Sequence, residues 1–344
     1  MSIFSWIGYY SEREFFQKVA FVKNIAKGPI REGEEDEIIL NLKPIEAVYL
    51  KDICSKTGAK TEGSLIISPI LLKQLPMLSK EQILQKVNSS VELALLKKSD
   101  VICLAGALGE FAPAISAKLK GKAKIVTGRK FLSATIIDNI EAEAKAAGKK
   151  LEDEKIAIFD LSTNISRVLA QALAKKAKEI RIFDKQKRNK SAFNELKDIP
   201  EDKLKISDNI GDILKGSKFV IVTSLFVPEK AINLMEKGSV VFDAIVPFWA
   251  AKVVSRARPD IIAVESAWAT KGPLIDKKEL DLVFPDDAIF GCIAESAMLG
   301  LEDNIEQEWL ELSPDNIEVM REIGTKHGFI ASSKKRIGEG HGRP

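Results

Sequence analysis

Lys155 to Asp184 reads KIAIFDLSTNISRVLAQALAKKAKEIRIFD. The apolar run Ile156–Phe159 has the length of a buried strand, and Asp160–Asn164 is a polar turn. Ile165, Val168, Leu169, Ala172 and Leu173 then fall on one face of a helix over 165–177. A second strand, Glu179–Phe183, follows. Strand, helix and strand joined by short turns form a βαβ unit, which puts both strands parallel in one sheet. The same alternation continues, with strands expected at 203–207, 218–223, 239–243 and 261–264 and short helices at 209–215 and 228–235. The reading for 151–285 is a doubly wound, Rossmann-like α/β domain.

Outward from that stretch the chain keeps alternating. Strands are expected at 3–7, 45–50, 64–68, 100–105 and 124–127. A helix over 80–97 carries Ile83, Leu84, Val87, Val91 and Leu95, and a longer one over 131–147 ends at Gly148. Residues 1–150 therefore read as a separate N-terminal α/β substrate domain. Residues 286–330 read as a largely helical C-terminal segment that closes the molecule. Residues 331–344, polar and glycine-rich, read as a flexible tail.

The 344 residues suit about two domains. A net charge of +3, from 52 basic and 49 acidic residues, gives no reason to expect nucleic-acid binding. Cys54, Cys103 and Cys292 are widely spaced, with no histidine at metal-ligand spacing. That argues against structural zinc or a disulfide framework and suits a reducing cytoplasm. No apolar run approaches the roughly 18 residues of a transmembrane helix, and the N-terminus lacks the basic and apolar regions of a signal peptide.

In a dinucleotide-binding fold the first strand runs into a glycine-rich turn. Its backbone approaches the pyrophosphate, and the following helix supplies N–H groups. Here that place is Asp160-Leu161-Ser162-Thr163-Asn164-Ile165-Ser166, with no glycine and with a carboxylate facing the phosphate position. Ser162, Thr163 and Asn164 can hydrogen-bond a ligand, so one reading is an altered nucleotide site. The other is a scaffold whose helix is N-capped by Ser162 or Thr163. Asp184 ends the second strand, where a carboxylate would hold a ribose hydroxyl. Lys185, Lys187, Arg188 and Lys190 follow, where a 2′-phosphate would find cations or where a solvated charge run would sit.

Cys292 lies in Asp287-Ala288-Ile289-Phe290-Gly291-Cys292-Ile293-Ala294-Glu295-Ser296-Ala297. Gly291 leaves room beside the sulfur. A helix beginning there would lower the thiol pKa and make Cys292 a nucleophile, with Glu295 as a polar neighbour one turn on. Core packing is the plainer alternative.

Phe290-Gly291-Cys292-Ile293-Ala294-Glu295 resembles the segment around the nucleophilic cysteine of the cyanobacterial long-chain acyl-[acyl-carrier-protein] reductases. Met320-Arg321-Glu322-Ile323-Gly324-Thr325-Lys326-His327-Gly328-Phe329 is similar to that family's ending. Phe4-Ser5-Trp6-Ile7-Gly8-Tyr9 resembles its opening, Leu104-Ala105-Gly106-Ala107 its glycine pair after a strand, and Ile125-Val126-Thr127-Gly128-Arg129 its turn before the long helix. The likenesses keep their order over nearly the whole chain.

The resemblance implies that Cys292 takes an acyl group from a carrier-protein or coenzyme A thioester, and that NADPH reduces it to a fatty aldehyde. It puts the nicotinamide cofactor at the Asp160–Ser166 loop, where every family glycine is replaced. The family's glycine-rich segment after the fifth strand is likewise altered, to Asp243-Ala244-Ile245-Val246-Pro247-Phe248. Three outcomes follow: a reductase, an acyltransferase or thioesterase without the cofactor, or a non-catalytic acyl-binding relative beside an active paralogue or an aldehyde-consuming enzyme. Gly106, Gly128, Ser133 and Thr135 are candidate substrate residues, and His327 is a candidate base for Cys292. Arg129-Lys130 and Lys118-Leu119-Lys120-Gly121-Lys122 are candidate basic patches for an acidic carrier protein.

Overall fold

The computed structural model describes residues 1–10, 19, 38–39, 41–184, 194–225, 227–281, 283–284, 287–302 and 311–336. In chain order the strands and helices are β1 (Ser2–Tyr10), β2 (Ile45–Cys54), β3 (Lys60–Leu71), α1 (Lys80–Leu96), β4 (Val101–Leu104), α2 (Ala112–Leu119), β5 (Lys124–Val126), α3 (Arg129–Ala146), β6 (Lys155–Phe159), α4 (Asn164–Ala174), β7 (Glu179–Phe183), β8 (Leu204–Ser207), α5 (Ile210–Leu214), β9 (Ser217–Val222), α6 (Glu229–Leu234), β10 (Val240–Asp243), α7 (Trp249–Ala257), β11 (Ile262–Thr270), α8 (Lys278–Asp281), β12 (Ala288–Phe290), α9 (Gly291–Leu301), α10 (Pro314–His327) and β13 (Ala331–Arg336). The fold is α/β, as the strand–helix alternation predicts.

The chain divides into two compact units. The first holds Met1–Phe131, Thr270–Glu311 and Arg321–Ile330; the second holds Leu132–Ala269, Leu312–Met320 and Ala331–Pro344. This differs from the expected boundaries at 150/151 and 285/286. Division at residue 132 falls inside α3, and the Cys292 segment belongs with the first unit rather than forming a third. The expected tail differs as well. Ala331–Arg336 is a strand pairing antiparallel to β11, with Glu265 opposite Lys334 and Trp268 opposite Ser332. Asn139 Nδ2 donates to Ser332 O at 3.2 Å, and Lys334 Nζ sits 4.1 Å from the centre of the Trp268 ring. Its polar composition suits an edge strand, whose outer side needs no apolar cover.

In the first unit the sheet order is β2-β3-β1-β4-β5. β1 pairs parallel with β3 and β4, β4 parallel with β5, and β2 antiparallel with β3. Side chains alternate faces along each strand. Ile7, Ile66, Ile102 and Ile125 meet Ile83, Val87 and Val91 of α1 and Ile115 and Leu119 of α2 on one face. Phe4 and Trp6 lie on the other face, with α9. Ile293, Ala294, Ala297, Met298, Leu299 and Leu301 of α9 are all buried, as are Glu295 and Ser296, so the helix is buried around its whole circumference. Each large aliphatic among them contributes about 2 kcal/mol by burial. Gly300 lets the helix close on Phe4 and Thr61: a Cβ there would lie 2.6 Å from Thr61 Oγ1 and 3.0 Å from the Phe4 ring. With Gly300 over the start of β1 and Cys292 beside Trp6, α9 runs antiparallel to β1. Its N-terminus points to the C-terminal edge of the parallel strands.

The second unit has six parallel strands in the order β11-β10-β9-β6-β7-β8, with β13 added outside β11. The strand order reverses between β6 and β9, the position where open α/β sheets place their ligand crevice. α4 buries Ile165, Val168, Leu169, Ala172 and Leu173, the face expected from their spacing. Among the described residues no helix is long and apolar enough to cross a membrane.

Candidate functional site

Cys292 is the second residue of α9. The residue before the helix, Phe290, is extended (φ −66°, ψ 141°) and offers no side-chain cap. The first-turn N–H groups are therefore left for something else, as at any uncapped helix start. Those of Cys292 and Ile293 face the Cys292 sulfur, and Trp6 Nε1 donates to it from 3.2 Å. Burial nevertheless dominates and pushes the thiol up to about 12; the nearby Glu295 carboxylate adds to the rise, while the three N–H donors oppose it. The expected lowering by the helix N-terminus is present as a contribution and is outweighed. At neutral pH the resting group is a thiol, on a residue that is partly exposed.

Gly128, between β5 and α3, packs on this cysteine. Its φ of +69° suits glycine, and a Cβ there would lie 2.3 Å from Cys292 Cβ, 2.7 Å from Cys292 Cα and 3.2 Å from Cys103 Sγ. Cys103, buried on β4, is the Cα partner of Trp6 across the sheet, and its thiol lies 3.9 Å from Cys292 O. Ser296 Oγ donates to that same carbonyl at 2.8 Å. Gly106, beyond β4, has φ +57° and lies under the Tyr9 hydroxyl, and its carbonyl accepts from Arg129 Nη2 at 3.3 Å.

Behind the cysteine, one turn along α9, Glu295 is fully buried. Its Oε2 accepts from Phe131 N at 2.8 Å, and its Oε1 lies 3.1 Å from Lys130 Nζ, which is 1% exposed. A carboxylate in the first turn of α3 meets that helix's positive end. The pair ties α3 to α9 and so fixes the Gly128 turn over Cys292.

Several expected residues are placed elsewhere. His327 is buried, and its Nε2 pairs with Glu302 Oε1 at 2.7 Å. Glu302 follows the last turn of α9, on the order of 15 Å along the helix from Cys292, so His327 is not brought to the thiol. Burial raises the Glu302 carboxyl, and the bonds from Lys326 and His327 more than offset that, leaving it below its ordinary range. Thr135 Oγ1 donates to Leu132 O (2.8 Å) and Ser266 O (3.1 Å), and Ser133 is fully buried; both are packed inside the second unit. The Arg129-Lys130 patch is not a free basic surface: Lys130 is buried on Glu295, and Arg129 is held by Glu110 at 2.7 Å. Lys118 donates to Asn88 at 2.9 Å, and Lys120 and Lys122 are exposed.

The Asp160–Ser166 loop closes on itself. Asp160 sits at φ +73°, the backbone region a glycine would fill. Its Oδ1 accepts from Ser162 N at 2.8 Å, Thr163 Oγ1 accepts from Ser166 N at 3.1 Å, and Ser166 Oγ donates back to Thr163 O at 2.7 Å. Arg167 Nη1 covers the Leu161 and Ser162 carbonyls at 3.1 and 3.3 Å. Thr163 is the N-cap; Asn164 begins α4. Asp184 stands beyond β7, next to Asp160 across the sheet, since Asp160 N donates to Phe183 O at 3.2 Å. Lys185, Lys187, Arg188 and Lys190 lie outside the described residues.

The same arrangement recurs after β10. Asp243 Oδ1 accepts from Ile245 N at 3.1 Å, and Oδ2 from Ala251 N in the first turn of α7 at 2.9 Å. Burial, with Glu265 beside it on β11, raises this carboxyl to about 7 against the opposing backbone bonds. The N–H groups that a pyrophosphate would need are thus held by the chain's own carboxylates and hydroxyls. These residues do not fit a nicotinamide dinucleotide bound in the glycine-loop manner. Among the described residues no group of His, Cys, Asp and Glu is arranged to hold a metal ion.

The sequence names Glu295 as a neighbour of Cys292 but not Trp6, Cys103 or the Lys130 that pairs with Glu295. The alternation along β1 and β4 carries the only signal, because it puts Trp6 and Cys103 on one face.

No family model matches the chain, and no curated protein matches it. Solved structures match it at low similarity. D-mandelate dehydrogenase of Rhodotorula graminis matches at 11% identity over 47% of this chain and 57% of its own, with a TM-score of 0.29. A phosphoglycerate oxidoreductase from Rhizobium etli matches at 16% over 54% and 65%, TM-score 0.31. L-tryptophan dehydrogenase from Nostoc punctiforme matches at 10% over 95% and 79%, TM-score 0.38. The chain thus spans less than two thirds of the length of the first two. Likeness at this level leaves the chemistry to the chain's own residues.

Proposed function

We propose that this chain is an acyl-thioester reductase that works through an acyl group carried on Cys292. The observation that carries the reading is the placement of the Cys292 sulfur at the uncapped start of α9, facing the N–H groups of Trp6, Cys292 and Ile293. The thioester donor is an acyl-carrier protein or acyl-coenzyme A. The sulfur bonds to the thioester carbonyl carbon, the carrier sulfur leaves, and the proton from Cys292 ends on the carrier thiol. N–H donors beside the sulfur favour the thiolate as it forms and the oxyanion that follows it. The hydride donor, NADPH, enters this reading from the family resemblance alone.

A second reading has a specific observation in its favour. Because Asp160 and Asp243 hold the loop N–H groups, the acyl group would leave Cys292 for water or another nucleophile, making the chain a transferase or thioesterase. Both readings are tested by incubating the protein with a long-chain acyl-coenzyme A, mapping any adduct by mass spectrometry, and then adding NADPH or NADH. An adduct on Cys292 followed by fatty aldehyde supports reduction. An adduct released as free acid or transferred supports the second reading, and absence of any adduct sinks both.

A further inference from the structure

Cys292 has a second thiol beside it that the acyl chemistry does not use. Cys103 is fully buried, its sulfur lies 3.9 Å from Cys292 O, and both cysteines lean on the same glycine, Gly128. Gly128 has no Cβ, so both cysteines pack against the same point: a Cβ there would lie 2.3 Å from Cys292 Cβ and 3.2 Å from Cys103 Sγ. Access is unequal: Cys292 is partly open, Cys103 is sealed, and the third thiol, Cys54, is exposed on β2. An oxidant arriving from solvent meets Cys292 before Cys103, and the nearest thiol able to condense with the product is Cys103.

We propose that Cys103 and Cys292 form a reversible redox pair, with Cys292 as the oxidised thiol and Cys103 as the resolving one. A hydroperoxide converts the Cys292 thiol to a sulfenic acid and is itself reduced, hydrogen peroxide giving water. The Cys103 sulfur then attacks the sulfenic sulfur, its proton and the hydroxyl leave as a second water, and a Cys103–Cys292 disulfide remains. Two electrons and two protons from a dithiol restore both thiols. The disulfide withdraws Cys292 from acyl transfer and protects it from irreversible oxidation. Burial keeps both thiols protonated near neutrality, so oxidation is slow there and speeds up as pH rises. The pair stands on its own geometry and does not depend on the acyl reading.

The test uses the full chain, fully reduced, treated with hydrogen peroxide at alkaline pH. Free thiols are then blocked and peptides are mapped without reduction. The expected product is a linked Cys103–Cys292 peptide pair, two hydrogens lighter than the separate peptides and dissolved by dithiothreitol. Cys103→Ser should lose the link and instead accumulate a dimedone-reactive sulfenic acid on Cys292. Wild-type protein that carries Cys292 to the sulfinic acid with no linked pair overturns the proposal, as does a link from Cys292 to Cys54. Because the wild-type map decides the matter, the proposal is tested even if the serine variant fails to fold.

Discussion

α4 and α9 both begin at the C-terminal edge of a parallel sheet, one in each unit, and their first turns meet different partners. At α4 the chain closes the site itself: Thr163 caps Ser166 N, Asp160 takes Ser162 N, and an arginine covers the outward carbonyls. At α9 no side chain caps the turn, and the N–H groups face a cysteine sulfur that a tryptophan N–H also reaches. A helix N-terminus is an anion site only while its donors are free. The first unit keeps that capacity where a thiolate or an oxyanion would form. The second has replaced it with its own carboxylates, at Asp160 and again at Asp243.

The contrast breaks most severely at Lys130. Lys130→Met leaves Glu295 as an uncompensated charge in a dry site, and should cost about 3–5 kcal/mol in urea unfolding. Lys130→Met with Glu295→Leu should recover most of that. An unchanged single variant would mean that α3 and α9 are not held by this pair.

On the side filled by carboxylates, Asp243 should make stability pH-dependent. Its folded carboxyl is raised to about 7 from 3.8, so the folded state holds this proton more tightly than the unfolded chain does. Its contribution is fully present below about pH 4 and is lost as pH rises through about 7, with a size on the order of 4 kcal/mol. Urea midpoints at pH 5 and pH 8 should differ in that sense. Asp243→Asn should flatten the slope while costing one accepted backbone bond, since an amide offers only one acceptor oxygen.

Gly128→Ala tests the open side more gently. Positive φ and the approach of Cys292 together predict a loss of about 2–3 kcal/mol. Alkylation of Cys292 by iodoacetamide should change in rate as the backbone shifts; a native rate would show the contact to be slack. The smallest effect is at the closed side. Thr163→Ala removes the α4 cap and should cost about 1 kcal/mol by thermal or urea unfolding.

Much of the fold is legible in the sequence because strand and helix periods are local. The run Ile156–Phe159 and the stripe Ile165–Leu173 gave β6 and α4 nearly at their observed bounds. Ala331–Arg336 is not legible as a strand, because an edge strand paired on one side carries no apolar alternation. The start of α9 at Cys292 was legible as Phe290-Gly291-Cys292, but the state of its thiol was not. That depends on burial first and then on Trp6, both of which arise only when β1 and α9 pack together. The sequence does not place His327, because nearness in the chain to Cys292 ignores the length of the intervening helix, which sets it on Glu302.

Whether Cys292 accepts an acyl group is read by peptide mapping after exposure to a long-chain acyl-coenzyme A. One acyl adduct is expected, on Cys292, lost in Cys292→Ala. Acyl groups on Cys54, or on no cysteine, would contradict it.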